Sequence, residues 1–238
     1  MSQSPGKLFL VPTDLGGDAI GRIWPAGNLE MIRHIRYFIV ENERSARRFL
    51  RKAGYDVPFE EVLMHVLNKH TREEEVDGFL DACYGGHDMG LLSEAGVPCV
   101  ADPGQRIVRT AQRKNLIVIP LVGPSSILLA LMASGFNGQH FIFHGYLPVA
   151  RHDRIRAIKN MEKAAYAHDQ TQMFMETPYR NNQLMDDLVK NCDPATMLCV
   201  ACDITQPGEF IRTLPTKEWK KNMPDLNKRP GIFLLYHP

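Results

Sequence analysis

Short apolar segments alternate with amphipathic segments along almost the whole chain, and this alternation restricts the fold more than any other feature. Residues 7–11 and 37–40 are apolar runs typical of buried strands, and a helical pattern follows over 43–53. Asn42 is placed to cap that helix and Gly54 to end it. Alternating strands and helices favour a layered α/β architecture over a sandwich or a helix bundle.

The pattern restarts after a cluster of glycine, asparagine and proline residues at 135–148, which predicts a domain boundary. The last three predicted strands follow one another with little helix between them, which favours a mixed sheet. We therefore predict two α/β domains, over 1–135 and 136–238, with a mainly parallel sheet in the first and a mixed sheet in the second. The nearly all-apolar helix over 123–134 is expected to be buried.

Two loop sequences predict the first residues of further helices. Thr71-Arg-Glu-Glu74 has the form of a capping box. Asp102 is predicted to cap the next helix, with Pro103 at its first position.

Composition excludes several classes of protein. The 238 residues carry 28 basic and 27 acidic side chains, so any binding to nucleic acid must depend on local patches. No apolar run reaches the roughly 18 residues of a membrane span, and the first residues lack the apolar region of a signal peptide. We expect a soluble cytoplasmic protein without a membrane segment. Cys199 and Cys202 lie in a predicted strand without a second ligand pair, so no metal site is predicted.

Arginines cluster on the helix that follows the second predicted strand. Arg44, Arg47, Arg48 and Arg51 are spaced so that all four lie on one helical face. Arginines at 106, 109 and 113 repeat the arrangement on a later helix. Two interpretations stay open, a solvated face or a surface that binds the phosphates of a nucleic acid.

Two loops with small residues and turn formers follow predicted strands, over 91–104 and 119–126. Loops at the carboxyl edge of an α/β sheet are where ligands bind. Gly96 and Gly123 would let a ligand approach the backbone, and the N–H groups at Ser125 and Ser126 can bind an anion. Ordinary tight turns would give the same pattern, but two such loops in succession favour a small-ligand cleft.

Ser93–Pro98 is similar to the motif S-D-A-G-T-P, and Pro120–Ser125 to P-L-P-G-P-S. These are motifs of the tetrapyrrole methylase superfamily, which uses S-adenosylmethionine. The resemblance is strongest to the branch that 2′-O-methylates a cytidine of small-subunit ribosomal RNA. Further segments match that branch in family order, at Ala101–Gly104, Ala133–Gly135, Phe143–Pro148, Phe174–Arg180 and Ala201–Thr205.

The resemblance implies a homodimer of two-domain chains, each with S-adenosyl-L-methionine in the cleft between its domains. It implies S-adenosyl-L-homocysteine as product, no metal, and RNA or the ribosomal small subunit as partner. The implied cofactor contacts are Leu15, Ala95, Gly96, Val97, Val100, Ser125, Ser126, Glu176 and Ile204. The candidate substrate-binding residues are Glu41, Arg44, Arg47 and Arg51.

The chain departs from the family pattern at three places. T-P-I-G-N becomes Thr13–Gly17, the aspartate before Ala-Gly becomes Glu94, and E-D-T-R becomes Glu41–Arg44. Two alternative hypotheses therefore stay open, methylation of a tetrapyrrole or another small molecule, and a cofactor-binding homologue without catalysis. Glu41, Arg44 and Glu176 are candidates to assist proton removal, and we assign no catalytic base.

Overall fold

The computed structural model describes residues 4–17, 20–68 and 70–237. The chain divides into two compact units, residues 1–125 and 126–238. Each unit is built around a five-stranded sheet, so the two α/β layers expected from the sequence are present.

The sheet of the first unit is parallel throughout, in the order β3-β2-β4-β1-β5. Its strands are β1 (Lys7–Val11), β2 (Tyr37–Val40), β3 (Leu63–Val66), β4 (Met89–Leu92) and β5 (Ile117–Pro120). Its helices are α1 (Ile20–Ile23), α2 (Gly27–Ile32), α3 (Glu43–Lys52), α4 (Glu73–Gly78), α5 (Asp81–Tyr84) and α6 (Gln105–Arg113), with a 3-10 turn at Phe59–Glu61.

Successive side chains of each strand point to opposite faces of the sheet. Each face packs against its own apolar core, so both faces are covered. Phe38 and Val40 of β2 contribute to one apolar core, and Ile39 between them contributes to the other. Gly90 of β4 has no room for a side chain, since a Cβ there would lie 2.6 Å from the Phe38 ring. The predicted cap of α3 is confirmed, because Asn42 Oδ1 accepts hydrogen bonds from the backbone N–H groups of Arg44 and Ser45.

Two predicted helix starts are wrong. α4 begins at Glu73, and Thr71 makes no capping box because its Oγ1 accepts the Asn68 N–H instead. α6 begins at Gln105, two residues later than predicted. The Asp102 carboxylate accepts the N–H groups of Cys99 and Gly104 and so closes the preceding turn.

The second unit contains a mixed sheet in the order β6-β7-β10-β8-β9, as predicted. β6 and β7 are parallel, and the other pairs are antiparallel. Its strands are β6 (Phe141–Tyr146), β7 (Thr171–Met175), β8 (Met197–Cys202), β9 (Phe210–Pro215) and β10 (Gly231–Tyr236). Its helices are α7 (Ser126–Ser134), α8 (Arg151–His168), α9 (Asn181–Asn191) and α10 (Thr216–Trp219).

The division between the units lies nearer the start of the chain than the boundary predicted at 135. α7 contacts β9 and β10, so the packing groups it with the second unit. The expectation that this apolar helix is buried all round is wrong for two side chains. Leu128 and Met132, one turn apart, are 51% and 78% exposed. None of the described helices is long and apolar enough to cross a membrane.

Candidate functional site

The loops after β1 and β4 are hydrogen-bonded to each other at the carboxyl edge of the first sheet. The two strands are neighbours, so their loops emerge side by side. The Thr13 N–H donates to the Gly96 carbonyl over 2.9 Å, and the Gly96 N–H donates to the Asp14 carbonyl over 3.3 Å. Ser93 Oγ donates to the same Gly96 carbonyl over 2.6 Å. This edge is where α/β sheets bind ligands.

The glycines of these loops are required by the packing of one loop on another. Gly96 has φ +73°, and a Cβ there would lie 2.9 Å from the Pro124 carbonyl oxygen. At Gly123 a Cβ would lie 2.2 Å from Cγ of Pro12. We expected these glycines to leave space for a ligand, whereas protein atoms occupy the space around both.

The cofactor contacts implied for the first unit come together around the loop after β4. Leu15 Cδ2 lies 3.0 Å from the position of a Cβ on Gly96. Ala95 is exposed, Val97 is half-buried, and Val100 is 47% exposed. Apolar side chains that face solvent beside a tight turn can pack against the ring of a nucleoside, so these residues fit an adenosyl group.

Ser125 and Ser126 lie at the junction of the two units, and α7 begins at Ser126. The Ser126 N–H is the first of that helix and has no partner within it, so the anion contact expected there stays a prediction.

Glu176 and Ile204, the implied contacts of the second unit, follow β7 and β8 at one edge of its sheet. Both strands run antiparallel to β10, which lies between them. Glu176 is 3% exposed, and its carboxylate accepts the Thr177 N–H and pairs with the Arg180 guanidinium. Ile204 is buried.

Glu41, at the end of β2, lies among other carboxylates of the first unit. Its Oε1 accepts the Glu94 N–H over 3.1 Å. Burial raises the pKa of the Glu41 carboxyl, and the charges of Asp102 and Glu94 raise it further. Burial also raises the pKa of Asp102. A carboxylate with a raised pKa accepts a proton more readily, which is a property of functional sites.

The arginines of α3 are divided between two environments. Arg47 forms an ion pair with Glu43, and Arg51 donates to the Tyr55 carbonyl. Both guanidinium groups lie over the Phe59 ring, 5.5 and 4.2 Å from its centroid. The side chains of Arg44 and Arg48 have no hydrogen-bond or ion-pair partner among the described residues. These two are therefore the cations of α3 available to a ligand.

The arginines of α6 are used mainly within the unit. Arg106 pairs with Glu73 and donates to the Thr71 carbonyl, and Arg113 donates to Thr110 Oγ1. Within the described part of the chain, no group of three or more His, Cys, Asp or Glu side chains could hold a metal ion. Sequence reasoning missed Lys52, whose Nζ lies 2.9 Å from Asp14 Oδ2, because the two residues are far apart in the chain.

The two α/β units have the same fold as solved structures of methyltransferases. The methyltransferase CobJ superposes with a TM-score of 0.65 at 15% identity, over 98% of this chain and 94% of that one. A uroporphyrin-III-C-methyltransferase from Thermus thermophilus gives 0.54 at 17% identity, over 97% and 92%. At these identities the likeness shows the fold.

A sequence model of the Tetrapyrrole (Corrin/Porphyrin) Methylases matches residues 28–219, and the chain belongs to this family. A relative from Pseudomonas aeruginosa, named ribosomal RNA small subunit methyltransferase I, is 29% identical over 90% of this chain and 72% of its own length. A relative of the same name from Escherichia coli O157:H7 is 28% identical over 98% of this chain and 77% of its own. The family resemblance found in the sequence is confirmed.

Proposed function

We propose that this protein is an S-adenosylmethionine-dependent methyltransferase that 2′-O-methylates RNA of the small ribosomal subunit in the cytoplasm. The observation that carries the proposal is the similarity, over nine-tenths or more of the chain, to relatives named for that RNA. The two arginines of α3 without partners support it, because such cations bind phosphates without reading sequence.

The cofactor contacts proposed in the first unit are Leu15, Ala95, Gly96, Val97, Val100 and Ser125, and those in the second are Ser126, Glu176 and Ile204. When bound, S-adenosyl-L-methionine supplies a methyl group activated by a sulfonium, and S-adenosyl-L-homocysteine is the product. The apolar side chains after β4 would pack on the adenosyl group, and the Ser126 N–H at the start of α7 would bind the cofactor's carboxylate.

The residues of the chain must hold a ribose hydroxyl in line for methyl transfer, because such positioning lowers the barrier by several kcal/mol. A hydroxyl is a poor nucleophile, so a nearby proton acceptor would help. Among the candidates, Glu176 is committed to Arg180, whereas Glu41 has a raised pKa and a half-buried side chain. Glu41 is therefore better suited to receive the proton.

The direct test is transfer of a labelled methyl group to small ribosomal subunits isolated from a bacterium that lacks this modification. We expect label in the ribosomal RNA, at a ribose. Label in a porphyrinoid substrate instead would support a small-molecule methyltransferase. Binding of S-adenosylhomocysteine in a calorimeter, without turnover on either substrate, would support a homologue that has lost catalysis.

The arginine surface has its own test, in a protein with both Arg44→Ala and Arg48→Ala, the two arginines of α3 without partners among the described residues. We expect weaker binding of RNA and a smaller dependence of the affinity on salt, since fewer counterions are released. An affinity and a salt slope equal to those of the unchanged protein would exclude this surface as the RNA-binding face.

We also propose that the protein is a homodimer, as the resemblance implies. The exposed Leu128 and Met132 on α7 support this, since a helix that is apolar all round is normally covered. Sedimentation velocity should give the mass of two chains.

A further inference from the structure

A cavity of about 310 Å³ lies at the carboxyl edge of the first sheet. The loop after β1, the loop after β4 and the helix α3 form its walls. Its lining includes Asp14, Ser45, Arg48, Lys52 and Glu94. Small-molecule sites enclose roughly 300–1,000 Å³, so the cavity suits a ligand at the small end of that range. It is too small to enclose a tetrapyrrole macrocycle.

Among the described residues that line the cavity, one cation has no partner. Lys52 also contributes a positive charge, but Asp14 neutralises it through an ion pair of 2.9 Å between two half-buried side chains. The Arg48 guanidinium has no ion-pair or hydrogen-bond partner within the described ranges. A single guanidinium can bind one phosphate through two parallel hydrogen bonds.

The loop after β4 offers the cavity a hydrogen-bond acceptor that is held in place by the protein. Ser45 Oγ donates to Glu94 Oε1, which joins α3 to the loop after β4. The backbone N–H of Glu94 is fixed in turn by Glu41 Oε1. The Glu94 side chain remains exposed, so it can also accept hydrogen bonds from a sugar hydroxyl or an exocyclic amine.

The cavity also contains residues at which the chain departs from the family motifs. Asp14 stands in place of a proline, Gly17 in place of an asparagine and Glu94 in place of an aspartate. The Asp14–Lys52 ion pair depends on the first of these departures. The lining therefore differs from the family motifs at these three positions, although the loops that build it match the family.

We propose that this cavity receives one unpaired nucleotide of the RNA substrate, with Arg48 on its phosphate and Glu94 facing the donors of its sugar and base. Proteins recognise RNA mainly through unpaired nucleotides that leave the stack, and one cation with one carboxylate matches such a unit. The inference rests on the proposed function, since the ligand is part of the RNA to be methylated.

Arg48→Ala tests the phosphate contact, with Arg44→Ala as its control. Both changes remove an unpartnered arginine from α3, but only Arg48 lines the cavity. We expect Arg48→Ala to raise the KM for small ribosomal subunits on the order of tenfold, the loss typical of a charged hydrogen bond. Arg44→Ala should raise it less than about fivefold, as for a surface charge. The affinity for S-adenosylhomocysteine should stay the same in both.

The outcomes separate this inference from the proposed function. Equal effects of the two substitutions, in a protein that methylates small subunits, would overturn the nucleotide site alone. If the unchanged protein neither methylates nor binds small subunits, the proposed function fails and the nucleotide site with it.

Filling the cavity is a second test that does not depend on charge. Ser45→Leu adds volume to the lining, whereas Ser45→Ala removes the hydroxyl without adding any. We expect Ser45→Leu to lose at least tenfold more methyl transfer than Ser45→Ala, with the same thermal unfolding midpoint and the same affinity for S-adenosylhomocysteine. Equal activities of the two variants would show that no substrate group enters the cavity.

Discussion

The two units hold their charged side chains in different ways. In the second unit, Arg154 and Asp187 are both 1% exposed and pair through Nη2 and Oδ2 over 2.7 Å. Arg151 donates to the other oxygen of Asp187, and Arg154 also donates to the Val149 carbonyl. In the first unit, Arg44 and Arg48 lack such partners among the described residues.

Burial and pairing distinguish the charged side chains that stabilise the fold from those that are available to bind a ligand. A buried charge must be paired and hydrogen-bonded, because its desolvation is costly. The Arg154–Asp187 pair meets this condition and fixes α8 to α9. The carboxylates at the edge of the first sheet have pKa values raised by burial, and two nearby arginines face solvent. These charges are not fully compensated by the protein, so a ligand bound at this edge can interact with them.

The largest effect is expected from Asp187→Ala in the second unit. The change leaves the buried guanidinium of Arg154 without its carboxylate, so the free energy of unfolding should fall by about 3–5 kcal/mol. Urea denaturation followed by circular dichroism measures this loss.

Asp153→Ala is the control for that prediction. Its carboxylate also pairs with an arginine, Arg156, but both side chains are exposed. The control should lose less than about 1 kcal/mol. Similar losses in the two variants would mean that burial does not distinguish the charged pairs of this protein.

A smaller effect is expected from Gly96→Ala in the first unit. A Cβ at Gly96 would meet the Pro124 carbonyl, and its positive φ would strain an alanine. We expect a loss of about 1–3 kcal/mol in stability, together with weaker binding of S-adenosylhomocysteine in a calorimeter.

Gly138→Ala provides the matched control in the second unit. Apart from its two chain neighbours, no described residue has an atom within 4 Å of a Cβ at that position, so both measurements should change little. If Gly96→Ala retained the affinity of the unchanged protein, the loop after β4 would not be a cofactor contact.

The strands were easier to predict than the helix starts. The bounds of β7 and β10 match the sequence pattern, which has apolar runs at Met173–Met175 and Ile232–Tyr236. The strand β3 was missed because it lies at the sheet edge with Leu63 and Val66 exposed, so no alternation marks it. At Thr71 a local hydrogen bond to Asn68 replaced the expected cap, and such competition has no signature in sequence.

The sequence predicted where the loops of the candidate site lie, but it did not predict which groups the side chains of the site contact. Motif similarity located Gly96 and Ser125 in loops after strands, but the structural reason for a glycine at 96 is its contact with Pro124. The separation of Arg47 from Arg48 depends on Phe59, which lies on one side of α3 and attracts only Arg47 and Arg51. Helical spacing alone places all these arginines on one face, because it carries no information about the neighbouring loop.

The smallest effect is expected from Glu41→Gln, and it should depend on pH. Burial raises the pKa of Glu41 in the folded protein, so the folded state holds the proton more tightly than the unfolded state. The stability contributed by the protonated carboxyl is therefore lost as pH rises from about 4.3, the ordinary value of a glutamate, through the folded value. Glutamine does not ionise, and its Oε1 can still accept the Glu94 N–H. The difference in free energy of unfolding between the variant and the unchanged protein should therefore increase from pH 4 to pH 7. Urea denaturation at both pH values measures it.

Glu60→Gln, at an exposed position, is the control, and its difference should increase less. A gain that is equal in the two variants, or that shrinks toward pH 7, would show that Glu41 is not held in an environment that favours its protonated form.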